Sequence, residues 1–164
     1  MRNRELGVYV HIPFCKHKCE YCDFISYCNK DEQIEEYIEA LKKEIKMQNI
    51  QSWITTIYIG GGTPSYIDSK YIKEIMKEIR KKNVHKEAEI TIEVNPGTVN
   101  EDKLRDYMEC GINRLSIGLQ VVQDNLLKQI GRIHNYNQFL ETYKLARKLG
   151  FKNINVDLML GLPN

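Results

Sequence analysis

Short apolar, β-branched runs alternate along the chain with longer amphipathic segments. Each run has the length of a β-strand and is followed by residues typical of turns. The runs are GVYVHI (7–12), TTIYIG (55–60), AEITIEV (88–94), NRLSIGL (113–119) and NINVDLML (153–160). The pattern predicts five β-strands.

The segments between the runs repeat apolar residues every three or four positions, which predicts amphipathic helices. Gly111 and Gly150 follow two of these stretches, where a left-handed residue commonly ends a helix. Alternating strands and helices indicate βαβ units and a parallel sheet. The predicted class is therefore α/β, either an open doubly wound sheet or most of a partial barrel. The periodic residues are Ile34, Ile38, Leu41 and Ile45; Ile72, Ile75, Met76 and Ile79; and Leu140, Tyr143, Ala146 and Leu149.

The last segment, NVDLMLGLPN (155–164), reads as a buried strand and its turn with no helix after it. Strands of a parallel sheet are normally covered on both faces. We therefore expect residues 1–164 to be one incomplete domain, the N-terminal piece of a longer protein.

The composition is that of an ordinary soluble protein, with 42% hydrophobic and 28% charged residues among 164. No apolar run is long enough to span a bilayer, and residues 1–12 do not show the apolar region of a signal peptide, so we expect none. The 24 basic and 22 acidic residues are interleaved, which does not indicate a nucleic-acid partner. We expect a cytoplasmic protein.

Polar residues share one parity on three of the predicted strands. Thr91, Glu93 and Asn95 alternate with isoleucines and Val94, and Asn155 and Asp157 alternate with apolar neighbours. The set Ser116, Gly118 and Gln120 does the same on the fourth run. Since side chains of one parity point to one face, these strands deliver polar groups to a common rim. An ion pair or helix cap would satisfy either carboxylate alone, but the shared parity favours a ligand.

Three glycines, Gly60, Gly61 and Gly62, end the second run just before Thr63. Glycines at such a place let the backbone approach a ligand closely, although a tight turn needs no ligand. The stretch is not a usual phosphate-binding loop, because no Gly-Lys-Ser/Thr follows.

Three of the five cysteines, Cys15, Cys19 and Cys22, lie within eight residues after the first run. A structural zinc site would need a fourth ligand from His11, His17 or Cys28. A redox dithiol of Cys19 and Cys22 would leave Cys15 unexplained. An iron–sulfur cluster is the third interpretation: thiolates are its natural ligands, and three of them leave one iron of a four-iron cluster open.

This Cys-x3-Cys-x2-Cys spacing is the signature of the radical S-adenosylmethionine superfamily. The chain resembles in particular the branch of oxygen-independent coproporphyrinogen III oxidases and related haem chaperones. The resemblance runs along the whole chain, through YVHIPFC, GGGTPS, EVNPG, RLSIGLQ, GRIHN and DLMLGLP in order.

The resemblance implies a partial (β/α)6 barrel, truncated here after the fifth strand, with a [4Fe–4S] cluster and S-adenosylmethionine as cofactors. By the same resemblance Cys15, Cys19 and Cys22 bind three irons, and the amino and carboxylate groups of the adenosylmethionine bind the fourth. The expected adenosylmethionine contacts are Tyr9, Gly61, Gly62, Thr63, Glu93, Gln120, Arg132 and Asp157. The implied chemistry is one-electron cleavage of the sulfonium to methionine and a 5′-deoxyadenosyl radical.

The sequence departs from the oxidase pattern at Phe24, where the oxidases carry another cysteine. Together with GRIHN (131–135), this makes the haem chaperones the closer resemblance. The implied function is delivery of haem to apo-haemoproteins, with oxidative decarboxylation of coproporphyrinogen III as the alternative and another radical reaction as a weaker one. Haem or a porphyrin, and an electron donor such as flavodoxin or ferredoxin, are the expected partners.

Overall fold

The computed structural model describes residues 5–162 and contains a five-stranded sheet in which all neighbouring strands are parallel. The strands of this sheet are β1 Glu5–Ile12, β4 Trp53–Gly61, β5 Val84–Val94, β6 Arg114–Gln120 and β7 Asn153–Leu158. Two short strands, β2 Phe14–Cys15 and β3 Tyr27–Cys28, pair with each other beside it. A 3-10 turn at Asp31–Gln33 precedes the first of five helices: α1 Ile34–Met47, α2 Ser69–Ile79, α3 Glu101–Glu109, α4 Asp124–Gln129 and α5 Tyr136–Leu149.

The strands of the large sheet lie in chain order, β1-β4-β5-β6-β7. A doubly wound sheet reverses its strand order once and carries helices on both faces, whereas a sheet in simple chain order winds in one direction. With right-handed crossovers the helices then all lie on one face, and the other face is the concave interior of a barrel. Of the two architectures that the sequence left open, the structure is the partial barrel.

The core lies between the sheet and its helices and consists mainly of isoleucine. Successive apolar residues of one parity, such as Ile57 and Ile59 on β4, face the helices and are almost fully buried. Burying one such side chain contributes about 1.5–3 kcal/mol. The other parity carries the polar residues, so the helical layer fixes which side chains point into the barrel. Residues of this core include Ile72, Ile75, Met76, Ile90, Ile92, Leu104, Leu115 and Ile117.

The predicted elements are confirmed with small changes of boundary. All five predicted strands are present, and β7 ends at Leu158 instead of residue 160. Gly111 and Gly150 have φ of 91° and 112°, the left-handed conformation expected after a helix. The six-residue α4 was not predicted, because a helix of that length has too few turns to show a period.

Three of the five helices described begin at a side chain that accepts a hydrogen bond from a free backbone N–H of the first turn. Asp68 caps α2, Asn100 caps α3, and Asn135 forms a capping box with Gln138 at the start of α5. Among the helices described between residues 5 and 162, the longest have 14 residues, and none combines the length and the apolar character that crossing a membrane requires.

Candidate cluster and cofactor site

The carboxyl ends of the strands line a cavity of about 420 Å³ inside the barrel. The cluster loop, residues 13–28, lies beside it and contributes all three clustered cysteines to its lining. Almost all of the expected site residues border this cavity. Its lining includes Cys15, Cys19, Cys22, Gly61, Gly62, Thr63, Glu93, Gln120, Arg132 and Asp157.

Sheet register places the polar residues of equal parity next to one another. Glu93 pairs with Ser116 between β5 and β6, and Gly118 pairs with Asp157 between β6 and β7. The Ser116 hydroxyl lies 3.2 Å from each Asp157 oxygen, and Asn155 Nδ2 donates to Asp157 Oδ1 at 2.6 Å. The rim predicted from strand parity is therefore present as a continuous polar surface.

Glu93 is held at this rim by two donors. The Tyr58 hydroxyl donates to Oε1 at 2.9 Å and the Gly61 N–H donates to Oε2 at 3.2 Å. Burial raises the pKa of the Glu93 carboxyl above its ordinary value, and nearby Asp157 adds to that rise. Among the described residues, neither carboxylate forms an ion pair with a lysine or arginine. The two acids thus lack the cationic partners that a purely structural role would call for.

The glycine turn after β4 lets the backbone lie directly against the cluster loop. A Cβ on Gly62 would come 2.9 Å from Cys15 Sγ and 2.9 Å from the Phe14 carbonyl oxygen. The Gly62 N–H donates to the Ile12 carbonyl at 2.8 Å, and the Thr63 N–H donates to the Phe14 carbonyl at 2.9 Å. Any larger residue at 62 would displace Cys15, so glycine is required there for the position of the cysteine.

The three cysteines differ in exposure. Cys15 is buried, while Cys19 and Cys22 are half-buried and joined by a turn in which the Cys22 N–H donates to the Cys19 carbonyl at 3.0 Å. Burial raises the pKa of the Cys15 thiol, and a hydrogen bond from Thr63 opposes that shift. The loop is tied to the end of α4 by the Glu20 N–H, which donates to the Ile130 carbonyl at 3.2 Å.

The spacing of the three thiols bears on which metal group they could bind. Within residues 5–162, no three side chains of His, Cys, Asp or Glu converge closely enough to hold one metal ion. Zinc requires its thiolates at about 2.3 Å from a shared centre, whereas each thiolate of a four-iron cluster binds a different iron. His11, one candidate for a fourth zinc ligand, has both ring nitrogens engaged, with the Tyr9 hydroxyl at 3.0 Å and the Ile25 carbonyl at 2.8 Å.

Arg132 reaches the cavity from the segment between α4 and α5. Its Nη1 donates to Cys19 Sγ at 3.8 Å, and its Nη2 donates to the Gly118 carbonyl and to Asn95 Oδ1, each at 2.7 Å.

Gln120 ends β6 with a positive φ of 71°, a conformation that costs energy in a non-glycine residue. Strain of this kind is common where a side chain is held for a ligand.

Tyr9 is the one expected contact that does not border the cavity. It stacks on Tyr58 with ring centroids 6.2 Å apart, and 57% of Tyr9 is exposed on the concave face. Tyr58 lines the cavity instead, and burial followed by the nearby Glu93 charge raises its pKa to about 12. The parity of Tyr58 with Gly60 was the sequence signal that would have found it.

Other lining residues had no role assigned from the sequence. Asn95 and Ser116 were noted for their parity alone, and Tyr21 of the cluster loop was not noted. The Tyr21 hydroxyl accepts a hydrogen bond from Arg132 Nη1 at 3.4 Å. No sequence pattern predicts this contact, because the two residues are 111 positions apart.

The polar groups that line the cavity suit a ligand made of an amino acid joined to a nucleoside. Two carboxylates without cationic partners can accept from hydroxyl or ammonium groups, and the Arg132 guanidinium can pair with a carboxylate. Gly118 also keeps this space open, because a Cβ there would come 2.9 Å from the Gln120 amide and 3.1 Å from Arg132. The three thiols and these polar groups therefore border the same cavity.

Comparison with known proteins gives two kinds of relative. The haem chaperone HemW of Bacillus subtilis (strain 168) is 40% identical over 162 residues, 96% of this chain and 43% of that protein. The haem chaperone HemW of Buchnera aphidicola subsp. Schizaphis graminum is 42% identical over 97% of this chain and 43% of its own length. The chain thus spans less than half the length of these relatives.

Among solved structures, the coproporphyrinogen III oxidase HemN of Escherichia coli, described as a radical SAM enzyme, superposes with a TM-score of 0.90. It is 32% identical, and the match covers 98% of this chain and 38% of that one. The α/β fold with its five parallel strands is that of the HemN barrel. The profile of the radical SAM superfamily, which implies a four-iron cluster and S-adenosylmethionine, matches residues 9–164, and the chain belongs to that superfamily.

Proposed function

We propose that Cys15, Cys19 and Cys22 bind three irons of a [4Fe–4S] cluster and that the adjoining cavity holds S-adenosylmethionine. The observation that carries this proposal is the shared cavity itself. Three thiols and two carboxylates without cationic partners border one space of about 420 Å³.

The remaining residues have roles that follow from their contacts. Glu93 and Asp157 accept hydrogen bonds from hydroxyl or ammonium groups, and Gln120 orients the ligand from its strained position. The guanidinium of Arg132 pairs with the ligand carboxylate. The glycine turn and Thr63 lie against the methionyl part, and Tyr9 supports the cavity wall through Tyr58.

The cluster, when bound and reduced, supplies one-electron chemistry to the adenosylmethionine. The chain's own contribution is to hold the thiolates in place and to keep water out. Phe14 is buried beside Cys15, with its ring edge-on to Tyr37 at 5.5 Å. Phe24 also borders the cavity, and most of its side chain is exposed.

We further propose that the whole protein is a haem chaperone that delivers haem to apo-haemoproteins in the cytoplasm, with residues 1–164 as its radical SAM core. The two relatives named as haem chaperones, at 40% and 42% identity along almost the whole chain, support this function. Phe24 supports it as well, because it stands where the oxidases carry a further cysteine. Cysteine clustering supports the location, since thiols persist in reducing compartments.

The second candidate is oxidative decarboxylation of coproporphyrinogen III to protoporphyrinogen IX. The TM-score of 0.90 with HemN favours it, although the identity is lower at 32%. A radical reaction on another substrate is a weaker third candidate. For any of these, a flavodoxin or ferredoxin is the proposed electron donor.

Electron paramagnetic resonance on anaerobically reconstituted, dithionite-reduced protein tests the site. We expect a four-iron signal that changes when S-adenosylmethionine is added, and its loss in Cys22→Ala. The matched control is Cys28→Ala, which removes a thiol of the same loop outside the proposed ligand set and should keep the signal. A protein that binds one zinc and gives no signal contradicts the proposal.

Two further assays separate the chaperone from the oxidase. Haem titration monitored at the Soret band, followed by transfer to an apo-haemoprotein, is expected to succeed. Release of protoporphyrinogen IX and 5′-deoxyadenosine from coproporphyrinogen III with reductant present would instead identify the oxidase.

A further inference from the structure

Asn95 lies between the two side chains that reach the cluster-loop sulfurs. Its Oδ1 accepts from Arg132 Nη2 at 2.7 Å, and its Nδ2 donates to Thr63 Oγ1 at 3.1 Å. Because a guanidinium has donors only, the amide atom that faces Arg132 has to be the oxygen. The amide is therefore fixed in one orientation, with its NH₂ group towards Thr63.

This orientation decides where the Thr63 proton points. The Thr63 oxygen accepts a hydrogen bond from the Asn95 NH₂ group, so the hydroxyl's own hydrogen is free to be donated to a different acceptor. Cys15 Sγ lies 3.4 Å away, within hydrogen-bond distance for sulfur. With a thiolate at Cys15, the bond can run only from the Thr63 hydroxyl to the sulfur.

Arg132 completes the arrangement on the other cysteine. The guanidinium that Asn95 holds through Nη2 donates through Nη1 to Cys19 Sγ at 3.8 Å. The Asn95 side-chain amide thus orients the hydrogen-bond donors that reach two of the three proposed ligand sulfurs. Its oxygen holds the guanidinium near Cys19, and its nitrogen turns the Thr63 proton towards Cys15.

Asn95 is itself held by a closed ring of hydrogen bonds. Its backbone N–H donates to Ser65 Oγ at 3.0 Å, and its backbone carbonyl accepts from Thr98 Oγ1 at 2.7 Å. The Thr98 hydroxyl also donates to Ser65 Oγ, with the two oxygens 2.6 Å apart, so its single proton lies between these two acceptors. Ser65 is fully buried. The Asn95 backbone therefore has little freedom to turn the amide away from the cluster loop.

Hydrogen bonds to the ligand sulfurs of a cluster stabilise its more negative, reduced form and raise its reduction potential. We propose that Asn95 is a positioning residue that raises the reduction potential of the cluster by directing the Thr63 proton onto Cys15 and holding Arg132 against Cys19. The inference rests on the proposed function, because it requires a cluster at Cys15, Cys19 and Cys22.

A double-mutant cycle between residues 63 and 95 isolates the effect. Thr63→Val keeps the shape of the side chain and removes the hydroxyl. Asn95→Asp keeps an oxygen for Arg132 but replaces the NH₂ donor by an acceptor, so the Thr63 proton turns to Asp instead of Cys15. Asn95→Asp alone and Asn95→Asp combined with Thr63→Val carry the same added charge, so the charge cancels in the difference between their reduction potentials.

Redox titration of the anaerobically reconstituted protein, followed by electron paramagnetic resonance, is the measurement. In the wild-type background, Thr63→Val should lower the reduced-to-oxidised ratio at fixed potential by up to about tenfold, which corresponds to 59 mV for a one-electron couple. In the Asn95→Asp background, Thr63→Val should leave the potential unchanged. Thr63→Ser, which keeps the hydroxyl, should retain the wild-type potential.

Asn100→Asp is the matched control for the charge added by Asn95→Asp. Asn100 caps α3 on the same loop by accepting from the Lys103 N–H at 2.9 Å, and aspartate caps equally well. This variant should leave the response to Thr63→Val intact.

Equal shifts by Thr63→Val in both backgrounds, or equal potentials for wild type, Thr63→Val and Thr63→Ser, would overturn the inference. If Asn95→Asp takes up no cluster, electron–nuclear double resonance decides. The exchangeable Arg132 proton at Cys19 should couple to the cluster in all the Thr63 variants. The coupling of the Thr63 hydroxyl proton at Cys15 should be present in wild type and Thr63→Ser and absent in Thr63→Val. Its presence in Thr63→Val overturns the inference. A wild-type protein without a four-iron signal defeats the proposed function instead, so the two failures are distinct.

Discussion

The hydroxyl of Tyr58 donates to Glu93 Oε1 at 2.9 Å, from the neighbouring strand of the sheet. Together with the Gly61 N–H, it fixes both carboxylate oxygens at the end of β5. Burial still raises the Glu93 pKa above its ordinary value of 4.5, and these two hydrogen bonds offset the rise only in part. The folded protein thus keeps an ionisable group at a cost in stability, which fits a residue retained for a ligand.

Glu93→Gln should therefore stabilise the protein free of ligand at neutral pH. Above pH 4.5 the folded state holds the Glu93 proton more tightly than the unfolded chain does, so the free energy of unfolding falls as the pH rises through the folded pKa. Glutamine does not ionise, so the free energy of unfolding of the variant does not fall with pH for this reason. Urea unfolding between pH 4 and 8 should show the variant gaining on the wild type as the pH rises.

The same substitution should weaken S-adenosylmethionine binding by about ten- to hundredfold, because a hydrogen bond to a charged group contributes about 1.5–3 kcal/mol. Isothermal titration calorimetry measures this. Glu89→Gln, on the same face of β5, is the control, since Glu89 lies near Arg114 at 3.9 Å outside the cavity and the variant should change neither quantity in this way. Unaltered binding in Glu93→Gln would remove Glu93 from the ligand contacts.

Gly62→Ala and Gly118→Ala should fail in different ways. A Cβ at 62 meets Cys15 Sγ and a backbone oxygen, each at 2.9 Å, and the backbone atom cannot move aside cheaply. A Cβ at 118 meets the ends of the Gln120 and Arg132 side chains, and these flexible ends can move aside at little cost. Gly62→Ala should thus lose iron and the cluster absorbance, while Gly118→Ala should keep iron and bind S-adenosylmethionine more weakly. Full iron content in Gly62→Ala would contradict the close packing at Cys15.

Strand residues of the site were predictable because the period of a strand is rigid. Parity alone places Glu93, Ser116 and Asp157 on one face, and the parallel register then brings them together. Arg132 was identified only through a family motif, because its side chain reaches the cavity from an irregular segment whose course depends on tertiary packing. The ligand contact of Tyr9 stays a prediction: its ring stacks on Tyr58 of the neighbouring strand, which borders the cavity.

Lys103→Met should destabilise the two loops behind the cavity. The Lys103 ammonium donates to the carbonyls of Ser65 at 2.8 Å, Ile67 at 2.9 Å and Thr98 at 3.2 Å, and so joins the turn after β4 to the loop after β5. Methionine keeps the apolar stem and leaves these carbonyls without that donor, at a cost of about 2–3 kcal/mol.

Lys73→Met is the matched control for Lys103→Met. Lys73 makes partly exposed ion pairs with Asp106 at 2.7 Å and Glu109 at 3.1 Å, and pairs near the surface contribute about 1 kcal/mol or less. Chemical denaturation compares the two variants, and hydrogen exchange at residues 63–68 and 95–100 locates the change. Equal losses of stability would show that Lys103 does not join the loops in solution.

His134 should make the segment that carries Arg132 sensitive to acid. The ring is 5% exposed, and neither nitrogen has a hydrogen-bond partner among the described residues. Burial, with the nearby Arg132 charge, lowers the His134 pKa to about 4, and the Leu119 backbone and Asp124 oppose this shift only in part. Between pH 6.5 and 4 the unfolded chain binds a proton that the folded protein does not, so the free energy of unfolding falls as the pH drops.

His134→Leu should remove this part of the pH dependence and stabilise the protein at pH 5, because an apolar side chain of similar size needs no partner in the same space. Thermal unfolding at pH 5 and pH 7.5 measures both effects. His85→Leu is the control: His85 packs edge-on against Trp53 at the opposite end of the sheet, and this variant should keep the acid-dependent loss. If His134→Leu loses as much stability on acidification as wild type, the ring is protonated without unfolding, and the segment around Arg132 does not respond to acid through this histidine.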